Sequence, residues 1–350
     1  RTFALAQQFN QDINTWNVSL VTNMSGMFDE ASSFNQDLNS WNTGNVTNMF
    51  TMFRVANNFN GNISAWDTSS VTTMGEMFAE ASIFNQDIGN WNTSNVTDMN
   101  SMFFRTDIFN QNLSNWNTGN VNRMDGTFAY ALLFNQNISS WNTSSVTNMA
   151  AMFFNADTFN QDIGSWDTSN VTRMDAMFHD ADLFNQNIGN WDTGNVSTMD
   201  AMFATAVSFD QDLGAWNVTS LQTAMNIFMN VTLSIANYDS LLIGWNAQNL
   251  NLNVPFDGGY SEYCAGAAAR ANMIASYNWS ISDGGFAGPT VDGLLDQTAS
   301  GSYTLPVITG TNLTGNEAYY TGPDGTGTVY NASDVINYAN FPSYPITLYI

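Results

Sequence analysis

A 25-residue unit is repeated nine times without a break between Phe9 and Leu233. Its most recognisable segment is FNQDINTWN at residues 9–17, which returns as FNQDLNSWN at residues 34–42. A unit of this length cannot bury its own apolar face, so the copies must stack and share one core. The repeat therefore predicts one elongated array, and we number its copies coils 1–9, with coil 1 at residues 9–33.

Equivalent positions of the coils form columns, and the apolar columns predict the fold. Phe occupies the first and twentieth positions of every coil and Trp the eighth. The spacing of Val21, Met24 and Met27 follows the L-x-x-L pattern of leucine-rich repeats, whose period is about 20–29 residues. We therefore predict a right-handed α/β solenoid. Residues 46–49 (VTNM) form a strand of its parallel sheet, and MFDEAS (residues 27–32) forms one or two helical turns.

A polar column follows the first Phe of each coil. An amide flanked by Phe needs hydrogen-bond partners, because a buried unsatisfied polar group costs about 1–3 kcal/mol. Stacked side-chain amides can bond to neighbouring backbone and to each other, so this column predicts a structural ladder, with Asp210 in coil 9. Its asparagines are Asn10, Asn35, Asn60, Asn85, Asn110, Asn135, Asn160 and Asn185.

The column that begins at Asp12 mixes Asp and Asn, and only Asp12 and Asp37 are carboxylates on adjacent coils. Exchange of Asp with Asn indicates a need for an oxygen acceptor only, as in an Asx turn. Structural calcium stays open as the alternative, since calcium prefers several oxygen ligands. The residues indicate no other cofactor and no bound metal.

Threonine forms two further columns, one from Thr43 to Thr193 and one that begins at Thr22. Regular threonine arrays suit ice or a polysaccharide chain. Val18 and Val218 replace Thr at the ends of the first column. We therefore interpret both columns as ordinary β-strand preference for β-branched residues.

Composition excludes several classes of function. The net charge is -24, with six Lys and Arg against 30 Asp and Glu, so nucleic acid and anionic membranes are poor partners. The single cysteine forms no internal disulfide, and no apolar run reaches the roughly 20 residues of a membrane span. His179 is the only histidine, and it supports neither a catalytic triad nor a zinc site. We expect that the protein is not an enzyme.

Binding residues are expected in columns that vary while the core stays constant. Aromatic and Arg side chains on consecutive coils could stack on a sugar or anchor a partner chain. The alternative is that these aromatic rings fold onto the neighbouring coil. The candidates are Phe104, Arg105, Tyr130 and Phe154, together with Arg123 and Arg173 in the strand column.

The segment FNQDIGNWNTSNVTDMNSMF, at residues 84–103, resembles the repeat of the BspA-like leucine-rich-repeat family of bacterial surface proteins. The resemblance covers residues 2–233, and residues 234–287 are similar to the closing segment of the same family. In that segment ANYDSLLIGW and AGAAARANMIASY are predicted helices, and LNLNVPF and WSIS predicted strands. A divergent unit of this kind is expected to cap the open core.

From residue 288 the composition shifts to Gly, Thr, Tyr and Pro, and short strands are predicted in GSYTLP, EAYYTG, GTVYNA and PITLYI, with a turn at GPDG. Residues 288–350 are similar to small all-β modules of very long Bacteroidetes surface adhesins. The resemblance implies export to the bacterial cell surface and adhesion. The expected partners are a surface glycan, a protein receptor, or copies of the chain itself in a homo-oligomeric fibre. The chain begins within a coil, and we expect both ends to continue in the mature protein.

Overall fold

The fold is taken from a computed structural model of the 350-residue chain. The structure describes residues 2–288, 290–291, 302–311, 317–322, 326–337 and 348. They fall into two compact units, Arg1–Gly285 and Phe286–Ile350. Among these residues no helix has both the length and the apolar character needed to cross a membrane.

The first unit is a repeat array built mainly from turns. The predicted strand is reduced to one residue per coil, and these residues join adjacent coils through parallel β-bridges such as Asn23 to Asn48 and Asn48 to Thr73. The predicted strand over residues 46–49 is therefore wrong in extent. Pairing of one residue per coil is enough, because other backbone amides, such as that of Phe28, also donate to carbonyls of the next coil.

The predicted helical turns of MFDEAS are also wrong, because its backbone amides alternate between two directions. The amides of Phe28 and Glu30 donate to the carbonyls of Met52 and Arg54 in the next coil. The amide of Ala31 donates back to the carbonyl of Phe28, three residues earlier. A helix would keep all these bonds within one coil, whereas alternation uses half of them to join coils.

Alternation places two residues of each coil in the left-handed region of backbone space. In coil 2 these are Thr51 with a φ of 54° and Val55 with a φ of 57°. The same two positions have positive φ in every coil. Non-glycine residues rarely adopt this conformation, which here is imposed by the hydrogen bonds on both sides.

Aromatic stacking fills the core of the array. The ring of Phe53 in coil 2 stacks on that of Phe59, the first residue of coil 3, with centroids 3.8 Å apart. Phe53 also stacks on Phe28 of the preceding coil at 5.3 Å. Trp41 and Trp66 lie 6.3 Å apart with nearly parallel planes, and their indole groups are almost fully buried. The columns identified in the sequence are therefore continuous aromatic ladders.

Two helices and short strands close the C-terminal end of the array. Helix α1 (Ile235–Asn246) and helix α2 (Ala267–Tyr277) lie where the sequence predicts helices. Strand β1 (Pro255–Asp257) pairs in parallel with β3 (Ser280–Ser282), and the Ala224–Phe256 bridge joins β1 to the last coil. The predicted strand LNLNVPF is thus confined to its end. Two-residue strands also occur at β2 (Glu262–Tyr263) and β4 (Gly285–Phe286).

The described part of the second unit contains three antiparallel pairs of strands. Strand β5 (Thr290–Val291) pairs with β7 (Gly310–Thr311), and β6 (Ser302–Thr304) pairs with β10 (Val335–Asn337). Strand β8 (Tyr319–Gly322) pairs with β9 (Thr326–Tyr330). The small core contains Leu305, Tyr319 and Ile336. Apart from Gly322 and Leu348, the predicted GPDG turn and PITLYI strand lie outside the described residues.

Candidate functional site

The turn segments bring the predicted aromatic residues together on one side of the array. The amides of Arg105 and Tyr130 donate to the carbonyls of Ala129 and Phe154 at 2.9 and 2.7 Å. Both donors have positive φ, 54° and 59°. Because every coil repeats this geometry, side chains at equivalent positions lie next to each other from coil to coil.

Four rings form what we call the aromatic row, consisting of Phe104, Tyr130, Phe154 and His179. Tyr130 packs edge-on against Phe104 at 5.6 Å and tilted against Phe154 at 5.2 Å. His179 stacks on Phe154 at 4.5 Å with an interplanar angle of 10°. The rings are half-buried and cover each other, as in the alternative in which they fold onto neighbouring coils.

His179 was not among the residues predicted to bind. It occupies the same column as Phe104 and Phe154, three coils after the first and one coil after the second. Its position in the repeat is therefore the signal that could have identified it. The guanidinium of Arg105 lies over the Tyr130 ring at 4.7 Å and near the Phe104 ring at 5.5 Å. Arg105 itself is exposed.

A cleft of about 300 Å³ lies beside the aromatic row, and we call it the acidic cleft. Burial raises the pKa of the Asp107 carboxyl, and the positive charge of Arg105 lowers it in part. Glu80 lies one coil earlier, so the cleft offers two carboxylates and one guanidinium to a ligand. Its lining residues are Asn57, Glu80, Ser82, Arg105, Asp107, Tyr130 and Leu132.

Arg123 and Arg173 lie elsewhere, in the column of β-bridge residues. Each forms an ion pair with the carboxylate two residues later: Arg123 with Asp125 at 3.0 Å, and Arg173 with Asp175 at 2.9 Å. Both side chains are about half exposed. These local pairs account for both arginines without a ligand.

The asparagine column links each coil to the next. The amide of Asn35 donates to Oδ1 of Asn10 at 2.9 Å, and Gln36 Nε2 donates to the same oxygen at 2.9 Å. The hydrogen bond from the backbone amide recurs down the column to Asp210, whose amide donates to Oδ1 of Asn185. Gly61 replaces the glutamine in one coil. The ladder therefore consists of Asn oxygens that accept from backbone and from Gln, rather than of Asn stacked on Asn.

The Asp and Asn column that begins at Asp12 forms Asx turns. Oδ1 of Asp12 accepts from the amide of Asn14 at 2.9 Å, and Asp87 does the same for Gly89 at 3.0 Å. Asp37 instead accepts from Asn62 in the next coil. A second cleft of about 290 Å³ is lined by Asp12, Asn14, Asn35, Gln36 and Asp37.

Clusters of three or more His, Cys, Asp and Glu side chains suitable for a metal do not occur in the described part of the chain. The second cleft brings two carboxylates together with amide oxygens. Such oxygens are the kind that calcium binds in proteins. Asp12 and Asp37 are therefore the carboxylates that calcium would bind at this position.

The two threonine columns differ in a way that strand preference does not explain. Thr43 is fully buried, and its Oγ1 donates to the carbonyl of Asp67 in the next coil at 2.9 Å. Equivalent bonds continue to Thr193, so this column is no surface for ice or polysaccharide. The other column is exposed, with Thr47 Oγ1 bonded to the carbonyl of Thr22. In both columns the hydroxyl, and not only β-branching, joins coils, so the strand interpretation is wrong.

Comparison with known proteins gives one family. The family described as "Mycoplasma protein of unknown function, DUF285" matches residues 1–87, 58–162 and 131–245. These three overlapping stretches span the whole repeat array and reach into α1. No curated protein and no solved structure gives a significant match.

Proposed function

The chain belongs to the DUF285 family, and on that premise we propose that it is a non-catalytic structural and adhesive segment of a large secreted protein on the bacterial cell surface. The family is associated with surface proteins, which supports the BspA-like resemblance. The segment mediates attachment of the cell or assembly of a surface fibre. It uses no cofactor and contacts neither nucleic acid nor the membrane interior.

One observation carries this proposal: the core columns stack continuously from coil to coil while the outer columns vary. The Phe, Trp and Asn ladders run from the first coils to the cap, where Ser234 and Asn237 bond to Asp210. A repeat protein of this kind keeps its shape through nearest-neighbour contacts. It can therefore project binding residues at a fixed distance from the cell.

The proposal includes the finer features that the resemblance implies. The array is a right-handed solenoid, and residues 288–350 are the beginning of an all-β module similar to those of Bacteroidetes adhesins. Copies of the chain associate end to end or through such modules. Strong acidity does not prevent this, because salt screens exposed charges beyond roughly 10 Å.

The test is to image the intact assembly on the producing bacterium by cryo-electron microscopy. We expect the coils outside the cell envelope, within a filament or at its tip. Protease accessibility on intact cells gives an independent measure of the same location. Coils found in the cytoplasm, protected from added protease, would overturn the proposal.

A second candidate function, ligand recognition, is favoured by the acidic cleft. The cleft combines carboxylates with Arg105 and Tyr130, a set that can bind the hydroxyl groups of a carbohydrate. Glycan arrays with wild type, Phe104→Ala and Tyr130→Ala test this function. Selective loss of one glycan signal in Tyr130→Ala would support it, and an array without specific signals would remove it.

Calcium-assisted recognition needs its own test at the second cleft. Wild type and Asp37→Asn are unfolded by heat with and without calcium. A calcium-dependent rise in Tm that Asp37→Asn abolishes would support a bound ion. Equal Tm values in calcium and in chelator would exclude it.

A further inference from the structure

An exposed column of aliphatic side chains runs beside the acidic cleft. We call Ile83, Ile108, Leu133 and Leu183 the apolar stripe, and they are 40, 40, 48 and 53% exposed. They occupy the last position of coils 3, 4, 5 and 7, with Thr158 in coil 6. The same position holds Ser33 and Asn58 before the stripe and Ser208 after it. The stripe therefore has defined ends, and the core does not require it.

The surroundings of the apolar stripe are strongly acidic. The five residues that end at the stripe position in coils 3–7 include Glu80, Asp107, Asp157, Asp180 and Asp182. They contain one Arg, Arg105, and no Lys. That guanidinium already lies over the Tyr130 ring. The surface thus combines exposed aliphatic groups with an excess of negative charge.

Two of these carboxyl groups have a raised pKa. Burial raises the pKa of the Asp182 carboxyl, and the nearby Asp157 and Asp180 carboxylates raise it further. Burial likewise raises the pKa of Asp107, with only partial relief from Arg105. A cation placed among these groups would favour their ionised form.

The spacing of the stripe favours a helical occupant. Each stripe residue is followed by a core Phe, and the centroids of Phe84, Phe109, Phe134 and Phe159 are 5.9–6.1 Å apart. One face of an α-helix presents about one side chain per turn, every 5.4 Å. This is close to the spacing between coils, so a helix that lies along the stripe can place about one apolar side chain against each coil.

We propose that the apolar stripe and the acidic cleft together bind a basic amphipathic helix of a partner protein. Apolar residues on one face of the helix, spaced alternately three and four positions apart, pack on the stripe. A Lys or Arg of the helix enters the cleft between Glu80 and Asp107. A second copy of this chain is disfavoured, because its own acidic surface would meet these carboxylates. The inference rests on the proposed adhesive role and names its partner class.

The test uses the full chain and a dye-labelled synthetic helix of Leu and Lys, about 20 residues long so that it spans the stripe. Fluorescence anisotropy measures its Kd at low and at physiological ionic strength. Control peptides replace Lys by Glu, scramble the apolar positions, or alternate Leu and Lys as an extended strand. We expect binding of the Leu/Lys helix alone, weakened by salt.

Variants of the protein assign the binding to this surface. Ile108→Asn and Leu133→Ser copy the native residues of coils 2 and 1, and each should raise Kd about tenfold, as expected for lost burial of one aliphatic side chain. Asp107→Asn should raise Kd and reduce the salt dependence. The matched control is Asp67→Asn, since Asn92 is native in that column one coil later and Asp67 lies on another side of the coil.

Several results would overturn the proposal. They are equal binding of helical and scrambled peptides, equal affinity of Leu133→Ser and Asp67→Asn, or no binding at low salt. Self-association of wild type that Leu133→Ser abolishes would assign the stripe to a second copy. A glycan that competes fully with the peptide would assign the cleft to carbohydrate. Surface location on cells is measured separately, so failure here leaves that measurement intact.

Discussion

The indole Nε1 of Trp245 donates to the carbonyl oxygen of Leu213 at 3.1 Å, as Trp216 donates to Ile188 at 3.0 Å one coil earlier. Trp216 follows its acceptor by 28 residues and Trp245 by 32, because Trp245 lies in helix α1. The indole of the cap thus donates to the last coil as the indoles of coils 2–9 donate to the coil before them, although the cap backbone is helical here.

Replacement of Trp245 by Phe is expected to loosen the cap. The buried carbonyl of Leu213 would lose its donor, at a cost of about 1–3 kcal/mol. Urea denaturation measures this loss, and hydrogen exchange should rise first in α1. Trp16→Phe is the control, since Trp16 is 46% exposed and its indole donates to no acceptor in the described part of the chain. An equal loss of stability in the two variants would contradict this interpretation.

The asparagine ladder predicts different effects for Ala and Asp at one position. Oδ1 of Asn110 accepts from the Asn135 amide and from Gln136 Nε2, both at 3.0 Å. Asn110→Ala should lower the free energy of unfolding by about 1–3 kcal/mol. Asn110→Asp keeps the acceptor, as Asp210 does in coil 9, and should lie close to wild type. Chemical denaturation of both variants checks the difference, and equal losses would show that the acceptor is unimportant.

Backbone strain at Val55 offers a stabilising substitution. Its φ of 57° is costly for a β-branched residue, and Asn tolerates this region better. Asn is native at the same column as Asn155 and Asn230. Val55→Asn should therefore raise the free energy of unfolding by about 1 kcal/mol. Val55→Thr keeps the branch at Cβ and should bring no gain; a similar gain in both variants would rule out strain as the cause.

The acidic surface predicts a pH-dependent effect at Asp182. Its folded-state pKa is raised above the unfolded value of 3.8, by burial first and then by Asp157 and Asp180. The folded state therefore binds the proton more tightly, and stability falls as pH rises through this interval. Asp182→Asn should raise Tm at neutral pH, and the gain should shrink below the unfolded pKa.

Asp167 is the control for this titration, because its pKa is shifted the other way. The Ser169 hydroxyl and then the Ser169 amide lower the pKa of Asp167. Its contribution to folding stability is therefore present above the unfolded pKa of 3.8 and is lost as pH falls through the folded pKa. Asp167→Asn should bring no gain in Tm at neutral pH. Parallel Tm profiles of the two variants between acidic and neutral pH would refute the assignment.

Much of the fold could be predicted from columns, because stacking places residues 25 apart in the same environment. The invariant Phe and Trp positions are the core, and the Asn positions bond from coil to coil. The helices of the cap also lie where the local pattern predicts them. The candidate rings Phe104, Tyr130 and Phe154 do meet, because neighbouring columns remain adjacent in every coil.

The sequence by itself determined the period, the core columns and the position of the cap. Only the tertiary structure decided that residues after Met24 alternate their amides between coils instead of forming a helix, and that the column of Thr43 is buried. It also decided that His179 joins the aromatic row and that the apolar stripe lies exposed beside carboxylates. The reason is physical. Periodicity reports which residues share an environment, whereas burial and hydrogen-bond direction depend on the path of the backbone between them.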